Sequence, residues 1–181
     1  MFLVLKNVFY KKQNRVVMPF LYRKFSNRSL ILNKRNTKSI VFIDSSIYNC
    51  DVLAQQVVYS ARVIVIGSRD DGVKEISKRL ETGNCSEIHI FSTGTPGCIY
   101  LGNSELSLNT LITYSSMIKK WFNSCDSVVS GIRKQPHLYL YGSNSAAGDA
   151  GEEFITKLSQ ITHAKVGASV DISQSDLISK A

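Results

Sequence analysis

The stretch His137-Leu-Tyr-Leu-Tyr-Gly-Ser-Asn-Ser-Ala-Ala-Gly-Asp-Ala-Gly151 has the form of a strand, a glycine and a helix. Leu138 to Tyr141 is a short apolar run of the kind that fills a buried strand, and Gly142 breaks it. Phe154, Leu158 and Ile161 then fall on one helical stripe, with Asp149, Glu152 and Glu153 crowded at its start. Carboxylates there suit the positive end of the helix dipole. Ser143 thus stands on a strand-to-helix turn. In an open α/β sheet such turns form the carboxyl edge, where ligands and catalytic groups gather. A second turn of this kind, Ser92-Thr-Gly-Thr-Pro-Gly97, follows the strand Glu87 to Phe91.

The same alternation runs outward from these two turns. Ile40 to Ile43 reads as a strand ending at Asp44-Ser-Ser46, and residues 51–58 as a helix. Arg62 to Ile66 is a β-branched strand ended by Gly67. Asp70 and Asp71 open a helix through Leu80, whose apolar face is Val73, Ile76 and Leu80. Cys98 to Leu101 and Glu105 to Leu108 suit a hairpin across Gly102-Asn-Ser104. Asn109 begins a long helix that runs past Trp121 and Phe122, and a polar loop with Ser130 and Gly131 leads back to the opening stretch. Lys165 to Ser169 is a last short strand, and the chain from Asp171 reads as a loose tail. Strands separated by helices predict a parallel sheet with right-handed crossovers and helices on both faces. The expectation is a three-layer α/β sandwich of about five mainly parallel strands.

The charge divides the chain in two. The net charge is +8 over 181 residues, yet residues 1–40 hold ten Lys or Arg and no Asp or Glu. The other 141 residues hold 12 basic and 14 acidic side chains. The division predicts a basic arm over residues 1–37 and a nearly neutral folded domain over 38–181, whose charge gives no support to nucleic-acid binding. The arm has Arg15, Arg23, Arg28 and Arg35, serines, and interleaved apolar residues. That composition marks an organelle-targeting presequence, here a mitochondrial one. The other readings of the arm are a disordered basic segment and an arm that binds RNA or a membrane surface, which would leave the protein cytoplasmic. A hydrophobic fraction of 44% and a charged fraction of 20% are those of a soluble globular protein. No apolar run approaches the roughly 18 residues of a membrane-spanning helix.

Motifs for common chemistries are missing. Gly97 and Gly102 have P-loop spacing, but Asn103 stands where a lysine must hold phosphate. The turn after Ile43 lacks the glycines of a dinucleotide fingerprint. Ser143 sits in Tyr-Gly-Ser-Asn-Ser, out of register with the G-x-S-x-G elbow. No cofactor is expected. Cys50, Cys85, Cys98 and Cys125 have no CxxC spacing, so no metal site is expected and the thiols read as reduced and mostly buried. His89 lies inside a strand, while His137 and His163 fall on the amino side of theirs. None is placed to activate Ser143.

Six segments in order resemble a known family. They are Val41-Phe-Ile-Asp-Ser-Ser46, Asp71-Gly-Val73, Ile88-His-Ile-Phe-Ser-Thr-Gly-Thr-Pro-Gly97, Leu101-Gly-Asn103, Tyr139-Leu-Tyr-Gly-Ser-Asn-Ser-Ala-Ala-Gly148 and Ala164-Lys-Val-Gly-Ala-Ser169. The family is a domain of unknown function found near the N-termini of very large bacterial repeat-rich surface proteins. It is similar to cysteine peptidases of the caspase, gingipain and separase type. The resemblance implies a His-Gly at the first turn and a Gly-Cys at the second. Here Thr93 stands at the histidine position with Gly94 kept, and Ser143 at the cysteine position with Gly142 kept. A Thr–Ser pair has no group that titrates near neutral pH.

The expectation is therefore a caspase-like frame without its catalytic dyad, acting as a structural or binding subunit with protein partners in a mitochondrial assembly. The rival readings are a hydrolase using Ser143, with Thr93, Ser145 or Asp44 as helpers, and an RNA- or membrane-associated protein acting through residues 1–37. Cys98, near the first turn, is the remaining thiol that could replace the nucleophile, and the absence of an evident base beside it argues against that role.

Overall fold

The computed structural model describes residues 39–57, 61–81, 85–123, 128–129, 132–133, 135–141 and 144–168. The basic arm, Cys125, Ser130, Gly131, Gly142, Ser143 and the tail from Asp171 lie outside the described residues.

In chain order the elements are β1 (Ser39–Asp44), α1 (Cys50–Val57), β2 (Arg62–Ile66), α2 (Gly72–Glu81), β3 (Glu87–Phe91), β4 (Gly94–Thr95), β5 (Cys98–Leu101) and β6 (Ser104–Ser107). They continue with α3 (Leu111–Ile118), β7 (Val128–Val129), β8 (Ile132–Arg133), β9 (His137–Tyr141), α4 (Gly148–Thr162) and β10 (Lys165–Ala168). Five strands form one sheet in the order β10-β9-β3-β1-β2, every pairing parallel. The chain runs outward from β1 to β2 and then returns to the other side of β1, so the strand order reverses between β1 and β3. In open α/β sheets the carboxyl end of that reversal is the usual ligand crevice.

Alternation along each strand builds two unequal layers. Ile40 and Phe42 of β1, Ile88 and Ile90 of β3, and Leu138 and Leu140 of β9 point to one face. Val73, Ile76 and Leu80 of α2, Leu111 and Ile118 of α3, and Phe154 and Leu158 of α4 cover them. Burying each such aliphatic side chain contributes roughly 1.5–3 kcal/mol relative to leaving it in water. The opposite face carries Val41, Ile43, Phe91 and Tyr141, packed with Ile47, Cys50, Leu53 and Ala54 from α1 and the turn before it.

The expected strands and helices are present, with four shifts. The hairpin pairs Leu101 with Ser104, so β6 starts at Ser104 and Leu108 lies past its end in a turn. Gly94–Thr95 adds a third antiparallel strand to it. The long helix from Asn109 ends at Ile118, and the chain tightens into three-residue turns in which Lys120 N–H donates to Met117 O and Trp121 N–H to Ile118 O. Trp121 and Phe122 are both buried. Consecutive side chains on a continuous helix point about 100° apart; leaving the helix after Ile118 frees both rings to pack inward, with Trp121 Nε1–H donating to Ser77 Oγ at 2.8 Å. The expected polar loop contains the short antiparallel pair β7–β8.

Candidate functional site

The two turns singled out by the sequence leave neighbouring strands. β3 and β9 are paired, with Phe91 opposite Tyr141, and Ser92 N–H extends the ladder to Tyr141 O at 3.1 Å. Thr93 is half-buried, and its carbonyl accepts Tyr100 N–H at 2.9 Å. Gly94 pairs with Ile99 across β4 and β5. The first turn is thus tied down as the edge of a small antiparallel sheet. It also meets the second turn, because Gly97 N–H donates to Ser145 O at 2.9 Å. Gly142 and Ser143 precede that contact but lie outside the described residues. Ser145, a proposed helper, is wholly buried. The Ser92 hydroxyl, also wholly buried, has no hydrogen-bond partner among the described residues.

Asp44, a third proposed helper beside Thr93 and Ser145, is committed to backbone. It ends β1 at 3% exposure. One carboxylate oxygen accepts Ser46 N–H at 2.8 Å and the other accepts Gly102 N–H at 2.5 Å. Gly102 is the tip of the β5–β6 hairpin, held at φ +61°. Asn103 beside it donates its backbone N–H to Asp70 O and its side-chain amide to Arg69 O, each at 2.8 Å. Ser104 Oγ accepts Gly72 N–H at 3.1 Å. The hairpin tip therefore lies over the carboxyl ends of β1 and β2. The sequence signalled a hairpin through Gly102 and Asn103, but not where its tip would land.

All three histidines of the chain are described, and none stands at the carboxyl edge. His89 is buried within β3. Its ring stacks on Tyr139 and Tyr141, with centroids 4.9 and 5.9 Å away, and its Nδ1 lies 3.0 Å from the Tyr141 hydroxyl. His89 Nε2 faces the Glu87 carboxylate at 3.9 Å. That histidine holds Glu87 below the usual carboxylate range; burial opposes the shift, and Ser39, donating at 2.9 Å, and His137 add to it. Burial, together with the Tyr139 and Glu87 charges, pushes the Tyr141 phenol well above its ordinary value. His137 opens β9 at the amino edge, and His163 follows α4 at φ +55°, on the amino side of β10.

Cys98 lies in β5, buried, opposite Ser107 and Thr95. Burial and then the Glu105 carboxylate push its thiol up, against smaller opposing contributions from Tyr100 and Thr95. A thiolate nucleophile needs the opposite environment. Among the described residues no cluster of three His, Cys, Asp or Glu side chains could hold a metal ion.

A parallel five-stranded sheet with α2, α3 and α4 on one face and α1 on the other defines a three-layer α/β protein. Within that class, residues 40–175 match the family described as "Domain of unknown function (DUF4347)", and the chain belongs to that family. No curated protein matches the chain in sequence.

Proposed function

We propose that this chain is a caspase-like member of its family that has lost the peptidase dyad and serves as a structural or binding subunit. The reading rests on one observation: the imidazoles lie away from the carboxyl edge, with His89 stacked in β3 and His137 and His163 toward the amino edge. In caspase-like peptidases the residue after the first strand supplies an imidazole and the residue after the neighbouring strand a thiol. The positions here hold Thr93 and Ser143, and a serine hydroxyl without an adjacent base is a weak nucleophile. The pairing of Phe91 with Tyr141 supports the correspondence, because Thr93 and Ser143 each follow that pair by two residues.

The basic arm, rich in Arg and free of carboxylates, is read as a mitochondrial presequence of a domain that begins near residue 38. Its partners are then proteins of an organellar assembly. This reading concerns residues 1–37 alone and stands or falls separately from the dyad argument.

The test is a peptide-hydrolysis screen with the full chain and its Ser143→Ala and Thr93→Ala variants. Absence of turnover in all three agrees with the proposal. Turnover by the parent chain that disappears with Ser143→Ala overturns it in favour of a serine hydrolase. N-terminal sequencing of protein recovered from its source cells tests the arm: a start between residues 25 and 40 supports targeting, and an intact arm refutes it.

A further inference from the structure

The two edges of the five-stranded sheet are built differently. β10 reads Lys165-Val-Gly-Ala168, and its lysine and glycine weaken an edge as a template for pairing. β2 reads Arg62-Val-Ile-Val-Ile66, apolar and β-branched after its first residue, and it pairs with β1 without interruption. Val65 is 43% exposed, although a strand of a parallel sheet is normally covered on both faces. Tyr48 and Val52, in the turn and helix that pack on β1 and β2, are half exposed as well. Three of the five large apolar side chains exposed among the described residues lie at this corner, so apolar exposure concentrates beside the unblunted edge.

The backbone shows which groups of β2 face outward. Ile66 O accepts Ser45 N–H at 2.9 Å, so the peptide groups of Ile66 point toward β1. Direction alternates along a strand, so Arg62 and Ile64 point the same way, while Val63 and Val65 turn their N–H and C=O groups away from the sheet. Those outward groups make no hydrogen bond among the described residues. The row stops at Gly67, whose N–H donates to Asp70 Oδ2 at 3.1 Å and whose carbonyl accepts Asp70 N–H at 3.0 Å.

We propose that two copies of this chain join edge to edge through β2, antiparallel about a twofold axis at Ile64. In that register Val63 lies opposite the partner's Val65, and the pair exchanges both outward N–H···O=C bonds; the symmetry repeats the exchange. The valines form a cross-strand pair on the α1 face, which covers the exposed Val65. Charge complements the same register. Arg62, opposite the partner's Ile66, lies beside the tight turn that carries the partner's Asp70. Arg62 and Asp70 are exposed and opposite in sign, and neither has an ion-pair partner in its own chain among the described residues. This interface does not involve the residues of the two carboxyl-edge turns and is independent of the dyad reading.

The experiment is sedimentation equilibrium of the full chain over a range of concentrations, with NMR-detected amide hydrogen exchange. A dimer is expected, in which the Val63 and Val65 amides become protected, while those of Ile64 and Ile66 are protected in monomer and dimer alike. Val65→Lys should weaken the dimer by about 10-fold or more, because it sets an ammonium against the partner's Val63. Arg62→Glu and Asp70→Lys should each weaken self-association. An equimolar mixture of the two should associate more tightly than either alone, since the mixed dimer restores both opposite-charge contacts. Circular dichroism reports whether each variant is folded, so lost association cannot be confused with unfolding. A chain that stays monomeric up to about 0.1 mM overturns the proposal. A dimer that Val65→Lys leaves intact also overturns it and places the contact on another surface. Val63 and Val65 amides already protected in the monomer overturn it too, and assign the edge to a segment of the same chain. A mixture no tighter than its components overturns the register.

Discussion

The Asp44 carboxylate accepts the Gly102 backbone N–H at 2.5 Å, joining the end of β1 to a hairpin tip 58 residues later in the chain. The same carboxylate holds Ser46 N–H. Two backbone donors on one buried carboxylate form a charge-assisted clamp, each bond worth roughly 1.5–3 kcal/mol. Asp44→Ala should lower unfolding stability by about 3 kcal/mol, and Asp44→Asn by less, because the amide keeps one acceptor. Gly102→Ala attacks the clamp from the other side. It places a methyl group on the Asp70 carbonyl oxygen at a positive φ, so a loss of about 2 kcal/mol or more is expected. Urea unfolding of the three variants measures these losses. A wild-type midpoint for Asp44→Ala would show that the clamp contributes nothing.

His89 and Tyr141 give the second prediction. Tyr141→Phe keeps the ring that stacks on Phe91 at 4.5 Å but removes the hydroxyl beside His89 Nδ1. The expected cost is about 1 kcal/mol, the usual value of one neutral hydrogen bond. His89→Ala also empties space on the sheet face beside Tyr139 and Tyr141 and should cost about 2–3 kcal/mol. A general base would behave differently, with activity falling while stability held. Calorimetry of both variants, run beside the hydrolysis screen, separates a structural histidine from a catalytic one.

The fold was legible because its signals are local and periodic. Ile40 to Ile43 and Arg62 to Ile66 are β-branched runs, and Val73, Ile76 and Leu80 repeat at helical spacing. These patterns predicted β1, β2 and α2 to within about two residues. The end of α3 was not legible, since the apolar residues Met117, Ile118, Trp121 and Phe122 continue past it at helix-compatible spacing. What ends it is the joint burial of Trp121 and Phe122 and the bond from Trp121 to Ser77 in α2, which is a tertiary demand. Asp44 was legible as a carboxyl-edge residue, but its clamp to Gly102 depends on where a distant hairpin comes to rest. The placement of His89 within its strand could be read from the sequence, whereas its partner Tyr141 required the pairing of β3 with β9.

Glu87 gives stability a pH dependence of known sign. Its folded pKa lies below the unfolded value of about 4.3, principally through His89 and with help from Ser39. A depressed carboxylate contributes fully above the unfolded pKa and loses that contribution as pH falls through the folded one. Glu87→Gln should therefore be less stable than the parent near pH 6, and the gap should close as pH falls below about 4.3. Urea midpoints taken from pH 3 to pH 7 test this. A gap that widens in acid would reverse the assigned sign.

Cys98 bears on whether a thiol could replace the missing nucleophile. It is buried in β5, and the Glu105 charge adds to the burial that raises its pKa. Alkylation proceeds through the thiolate, so both the smaller thiolate fraction and the limited access slow it. At pH 7.5 iodoacetamide should modify Cys98 at least about 10-fold more slowly than it modifies glutathione. The rate should climb with pH, and Glu105→Gln should raise it modestly by removing the nearby negative charge. Site-resolved mass spectrometry of the full chain distinguishes Cys98 from the other three cysteines. Modification as fast as a free thiol at neutral pH would reopen Cys98 as a nucleophile, and the hydrolysis screen would then need a Cys98→Ala variant beside Ser143→Ala.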